Sequence, residues 1–273
     1  MIVQLQSPTL LPSFMSDSDL IAANFSRAAL TYTKAATIQK QAAYLFDIWL
    51  AEHATSAPRS IIELGCGTGF LSRHLQQRYP HTALHLTDLS AAMLTQCQET
   101  LPHSEQVSFA QLDAQHARFN PTPDWIVSAM CFQWFDNLPE IITRHCQQSR
   151  LLAFSILLDG SFFQWKQAHR DLHQQDGLRT LPKEHDLLAF LHTLKGWRMQ
   201  YHIVDLLEHH ANGQAFVTTL RNIGAHQART GYRPINLRPL FRIFQNGLDA
   251  EYRIGFFLLE RQELTITDDA IGT

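Results

Sequence analysis

The stretch Ile61-Ile62-Glu63-Leu64-Gly65-Cys66-Gly67-Thr68-Gly69-Phe70-Leu71 constrains this chain more than any other. A short apolar run breaks into three alternating glycines and then into a helical pattern, which spells strand, tight turn and helix start. Glycine is needed in such a turn because the backbone takes positive φ, and because a Cβ would hold it away from whatever lies across it. The turn is therefore expected to face a ligand. Dinucleotide folds spell it G-x-G-x-x-G to admit a pyrophosphate; here the spacing is G-x-G-x-G, preceded by Glu63. A carboxylate two residues before the first glycine repels a pyrophosphate and suits a ligand that carries an ammonium or sulfonium.

Pro80 is expected to stop the helix begun near Gly69, and residues 83–86 read as a second strand that ends at Asp88. An acidic residue there, about 20 residues after the glycines, is placed to accept both hydroxyls of a ribose. Ser90 reads as the N-cap of the next helix, with Met93 and Leu94 on its first turns. Residues 107–112 form a third strand ending at Asp113-Ala114, and residues 124–130 a buried fourth strand with residues 128–130 at its ligand-facing end. The glycine turn resembles motif I of class I methyltransferases, and Asp88-Leu89-Ser90-Ala91-Ala92-Met93-Leu94 resembles their motif II. That resemblance implies S-adenosylmethionine as cofactor, held by Glu63, Gly65, Gly67, Gly69, Asp88, Leu89, Met93, Asp113, Ala114 and Ser128, with Asp113 facing the adenine amino group. The fourth strand ends in neither the Asn/Asp-Pro-Pro-aromatic tetrad of base-amino methyltransferases nor the ligand Asp of metal-dependent catechol enzymes, which disfavours nucleic acid as a partner.

At 273 residues, 45% hydrophobic and 17% charged, the chain suits one large core. The expected fold is α/β: a seven-stranded Rossmann-like sheet, mostly parallel with its last strand antiparallel. A flexible start (1–16) precedes a single domain (17–260) made of N-terminal helices (17–53), a cofactor-binding core (58–158) and helical insertions at about 160–197 and 209–248; a tail (261–273) follows. No run approaches the ~18 apolar residues of a membrane span, and no basic stretch precedes the early apolar piece, so a cytoplasmic protein without a membrane partner is expected. The four cysteines form no C-x-x-C pair and read as packing residues. Fifteen histidines include no H-E-x-x-H, and the adjacent His209-His210 point different ways, so no metal is expected. Tyr32 and Gln39 lie about two helical turns apart, so either both face one ligand or Tyr32 is a core residue and Gln39 a surface one.

Between Glu208 and Asp249 the chain has no acidic residue, while Arg221, Arg229, Arg233, Arg238 and Arg242 fall inside that interval. In a protein of formal net charge −3 this asymmetry points to an anionic partner. Phe25-Ser26-Arg27-Ala28-Ala29 with Tyr32, the glycine turn, Phe132-Gln133-Trp134 and Leu220-Arg221-Asn222-Ile223-Gly224-Ala225-His226 together resemble a narrower group, the malonyl-acyl-carrier-protein O-methyltransferases that start pimelate-moiety assembly in biotin synthesis. Arg221-Asn222 stands where Lys-Gly is commoner in that group, and Phe132 where Leu or Val is usual. The resemblance implies methylation of the free carboxylate of a malonyl thioester, read by Arg221 or His226, with Tyr32 helping to close the cofactor site. Acyl carrier protein is then the expected partner, docked by Arg221, Arg229, Arg233, Arg238 and Arg242. Methylation of another small acid or a quinone precursor, and cofactor binding without catalysis, are the competing expectations.

Overall fold

A computed structural model describes residues 16–228 and 231–262. Residues 1–15, 229–230 and 263–273 lie outside the described residues, and with them most of the expected flexible start and tail. The ends that are described are ordered: Ser16 caps the first helix through a reciprocal box with Asp19, and Arg261 still belongs to the last strand.

Helices α1 (Asp17–Ala35) and α2 (Thr37–His53) lead into the alternating elements β1 (Ser60–Leu64), α3 (Phe70–Arg78), β2 (Ala83–Asp88), α4 (Ala91–Thr100), β3 (Val107–Gln111), β4 (Trp125–Ala129), α5 (Leu138–Gln147) and β5 (Leu151–Leu157). Then follow α6 (Phe163–Asp171), α7 (Glu184–Leu191), β6 (Trp197–His210), α8 (Gly213–Asn222), α9 (Arg238–Ile243) and β7 (Leu248–Arg261). The sheet order is β3-β2-β1-β4-β5-β7-β6, with β7 antiparallel to both neighbours. The strand order reverses at β1 and β4, so a crevice opens beyond their carboxyl ends, where α/β sheets bind ligands. No helix among the described residues is long and apolar enough to cross a membrane.

Strand alternation splits the core into two layers. Ile61 packs with Phe46, Leu50 and Leu75 on one face, whereas Ile62 and Leu64 join Ile126, Ile142 and Leu152 on the other. Strand β5 is buried throughout, as a central strand covered on both faces must be. Its Phe154 lies between Phe132, at 4.5 Å, and Phe257, at 5.3 Å. Such stacked pairs are worth about 0.5–1.5 kcal/mol each beyond area burial, and this one anchors the single 3-10 turn Phe132–Trp134 over the crevice.

Two expectations about elements need correction. The sixth and seventh strands reach into both expected helical insertions: Trp197 pairs with Arg261 and His210 with Leu248 in one continuous register. His209 and His210 therefore belong to β6 and not to the helical insertion. The chain also breaks at Ala36 (φ −88, ψ 56), so Tyr32 and Gln39 sit on different helices and do not share a face.

Candidate active site

Where β1 ends, the chain turns through Gly65 (φ 68) and Gly67 (φ 57), and both line a cleft with about 740 Å³ of empty space. Asp88, at the end of β2, fastens the turn: Oδ2 accepts from the Gly67 N–H and Oδ1 from the Ser90 N–H, both at 2.8 Å. Ser90 caps α4 by accepting from the Met93 N–H. Desolvation raises the Asp88 carboxyl above its ordinary range, and the backbone N–H groups oppose the shift. Leu89, Met93, Asp113 and Ala114 complete this side of the wall.

The donor set tests the cofactor. Among the described residues the lining holds two carboxylates, Asp88 and Asp113, and no lysine, arginine or histidine. A pyrophosphate has no partner here, whereas a cationic, hydroxyl-bearing ligand has two. A Cβ on Gly67 would find no protein atom within 4 Å, so that glycine leaves its space to a ligand. These residues fit S-adenosylmethionine, whose ribose Asp88 would meet and whose adenine amino group Asp113 would meet.

Three expected cofactor residues lie off this wall. Glu63 is 1% exposed and its Oε2 accepts from Ser72 Oγ at 2.6 Å behind the glycine turn; burial pushes its carboxyl up to about 7. Gly69 is the N-cap of α3, and a Cβ there would stand 2.7 Å from Leu101 Cδ1 and 2.9 Å from Cys97 Sγ, so it is a packing glycine. Ser128 is fully buried and donates to the Leu64 carbonyl at 2.8 Å, which ties β4 to β1. Ala129, Met130 and Cys131 present the β4 end to the cleft instead. Cys131, expected only to pack, is thus a wall residue, and burial raises its thiol to about 12.

Helix α1 closes the cleft from above. Tyr32 stacks on Phe70 at 5.9 Å, and Phe25 meets Trp134 edge-on at 5.4 Å. Thr33 Oγ1 donates to Thr68 Oγ1 at 3.0 Å, and Ser26 and Ser90 share a hydroxyl hydrogen bond at 2.8 Å. Burial, with Asp88 and Cys131 nearby, drives the Tyr32 phenol above its ordinary value, so it keeps its proton at pH 7.

Met130 and Trp134 line this cleft and also a second, larger one of about 1280 Å³. Met130 holds φ 54, a conformation costly for a residue with a side chain. Its N–H donates to Ser155, and its carbonyl accepts from Gln133 Nε2 at 2.7 Å. The second cleft has an apolar floor that includes Leu157, Phe162, Trp165 and Tyr252, and its polar groups include Gln39, Arg179, Arg221 and His226. Arg221 and His226 are exposed. Desolvation, Arg27 and Arg221 lower the His226 pKa, which keeps the imidazole neutral at pH 7. Arg233, Arg238 and Arg242 lie on the surface outside this lining. The segment after α8 is packed on α1: Thr31 Oγ1 donates to the Asn222 carbonyl at 2.8 Å, Asn24 Nδ2 to Gln227 Oε1 at 2.9 Å, and a Cβ on Gly224 would lie 3.0 Å from the Asn24 oxygen. The two clefts therefore share a wall, and the segment that lines the second rests on the helix that closes the first.

Comparison with known proteins agrees with this geometry. Residues 61–149 match the family described as "Methyltransferase domain". The chain is 30% identical over 229 residues to a malonyl-[acyl-carrier protein] O-methyltransferase of Magnetococcus marinus, covering 82% of this chain and 84% of that protein. It is 28% identical to the protein of the same name from Neorickettsia risticii, covering 90% and 97%. In fold it is similar to magnesium protoporphyrin IX methyltransferase from Synechocystis PCC 6803 with bound S-adenosylmethionine, at a TM-score of 0.55 and 14% identity, covering 92% of this chain and all of that one. With its acidic cofactor cleft, its seven-stranded sheet and these relatives, the chain belongs to the malonyl-[acyl-carrier protein] O-methyltransferase family of S-adenosylmethionine-dependent methyltransferases.

Proposed function

We propose that this enzyme transfers a methyl group from S-adenosylmethionine to the free carboxylate of a malonyl thioester carried on acyl carrier protein, giving in the cytoplasm the methyl ester that primes pimeloyl assembly for biotin. One observation carries the reading: an acidic cofactor cleft shares Met130 and Trp134 with a neighbouring cleft that has an apolar floor and arginines. When bound, S-adenosylmethionine supplies a methyl group on a sulfonium. The protein's task is then to position the acceptor for in-line attack. A malonyl carboxylate is already ionised at neutral pH and needs no base. In keeping with this, the titratable groups around the seam are not bases: Tyr32 and Cys131 hold their protons at pH 7.

Tyr32 closes the cofactor side, while Arg221 and His226 meet the acyl group at the open side of the second cleft. The exposed Arg233, Arg238 and Arg242 dock the acidic carrier protein by complementary charge; Arg229, expected to share that role, lies outside the described residues. The test is transfer of a radiolabelled methyl group to malonyl-acyl-carrier protein beside malonyl-coenzyme A and free malonate. Base-labile label on the carrier protein supports the reading. No label, with cofactor binding intact, refutes it and favours a different small acid or a binding protein without turnover.

A further inference from the structure

We propose that Arg179, and not Arg221 or His226, binds the acceptor's carboxylate and makes the enzyme select an acid over its uncharged analogue. The inference deepens the carboxyl-methyltransferase reading and rests on it.

Arg179 sits in the non-helical connector between α6 and α7, and local chemistry fixes that connector's path. Asp176 Oδ1 accepts from the Leu178 N–H at 2.9 Å. Gly177 takes φ 73 and packs so closely on Tyr232 that a Cβ would lie 2.7 Å from the ring. Beyond the arginine, the Pro182 carbonyl accepts from the Asp159 N–H at 2.9 Å. A side chain on this anchored segment is delivered to one place.

That place is the wall common to both clefts. The guanidinium lies 5.7 Å from the centre of the Trp134 ring, and Trp134 lines the cofactor cleft as well as the acceptor cleft. Its side chain is only 18% exposed, whereas Arg221 is on the exposed side of the same cleft. Among the described residues, no acceptor stands within hydrogen-bonding distance of the Arg179 guanidinium. The nearest carboxylates are Asp136 at 3.6 Å and Asp17 at 3.8 Å, and both are in contact with water. Long pairs to hydrated carboxylates orient an arginine but do not use up its five donors. A mostly buried guanidinium with donors to spare, beside the seam where a methyl donor and an acceptor meet, matches an anionic group that leaves one oxygen directed at the methyl.

The charge balance of the step agrees. A carboxylate oxygen forms the new C–O bond while the methyl–sulfur bond breaks and its electron pair stays on sulfur; an anion and a cation become an ester and a thioether. Arg179 then faces a neutral product, so the interaction that recruited the substrate is gone when the reaction is complete.

The test measures binding of malonyl- and acetyl-acyl-carrier protein to the enzyme saturated with S-adenosylhomocysteine, which prevents turnover. One charge-assisted contact of about 1.5–3 kcal/mol corresponds to a roughly 10–100-fold preference for the malonyl form. Arg179→Gln is expected to erase that preference while leaving affinities for the acetyl carrier and for S-adenosylhomocysteine unchanged, and Arg179→Lys is expected to restore part of it. Arg221→Gln is expected to leave the preference intact. If Arg179→Gln keeps the wild-type preference, or if it weakens acetyl-carrier binding and thermal stability together while Arg179→Lys restores neither, the assignment is overturned and methyl transfer to the malonyl carrier still stands. If the wild type itself shows no preference for malonyl over acetyl, both the assignment and the reading beneath it fall.

Discussion

Replacing Glu63 by glutamine tests the electrostatics behind the glycine turn. Glu63 is buried, accepts from Ser72 Oγ, and lies near Asp88, which raises its pKa, and Arg73, which lowers it. Desolvation dominates and moves the carboxyl from its ordinary 4.5 to about 7. Between those two pH values the folded chain holds a proton that the unfolded chain has released. Stability contributed by that proton is fully present below pH 4.5 and is lost as pH rises to 7, a fall of about 3 kcal/mol. Glu63→Gln keeps the shape and cannot ionise, so the fall disappears. Relative to wild type, the variant therefore gains about 3 kcal/mol between pH 4.5 and pH 8. Urea unfolding of the cofactor-free protein at several pH values across that window measures it. Asp88, raised for the same reason, leaves a residual slope in both proteins. Two stability curves that run parallel, within about 1 kcal/mol of a constant offset, would refute the reasoning.

Other substitutions separate ligand contact from packing. Gly67→Ala is expected to abolish cofactor binding by calorimetry at a stability cost of only about 1–2 kcal/mol for a left-handed alanine, because its Cβ enters the space left for the ligand. Gly69→Ala is expected to do the reverse, lowering the melting temperature through Leu101 and Cys97; a variant that melts like wild type would count against that packing role. Asp88→Asn replaces the charged acceptor and is expected to weaken cofactor affinity about 10–100-fold, checked by titration with S-adenosylhomocysteine. Raising salt is expected to weaken carrier-protein binding steeply, whereas salt-insensitive binding would leave Arg233, Arg238 and Arg242 without a docking role.

The sequence was most legible where local chemistry decides the outcome. The glycine turn, the Ser90 cap and Asp88 all follow from backbone demands a few residues long, and all stand where expected. Glu63 was misplaced because what its side chain faces depends on β1's parity and on the helix packed against that face, and its partner Ser72 lies on α3. Gly69 could not be told from Gly67 by spacing, since the difference lies in residues about 30 positions away, Cys97 on α4 and Leu101 just after it. The length of β6 and β7 was hidden because His209 and Asp249, which pair across the strands through a 2.8 Å hydrogen bond, look like loop residues when read alone. Arg179 lay in plain sight inside the Gly177–Pro182 connector, but a non-helical segment has no period from which to read where a side chain goes.

Helix α1 belongs to two sites at once. It supplies Phe25 and Tyr32 to the cofactor cleft and, through Thr31, Asn24 and the close approach at Gly224, the bed on which the acyl-side segment rests. A change that displaces α1 therefore reaches both clefts together, through Tyr32 on one side and the close approach at Gly224 on the other.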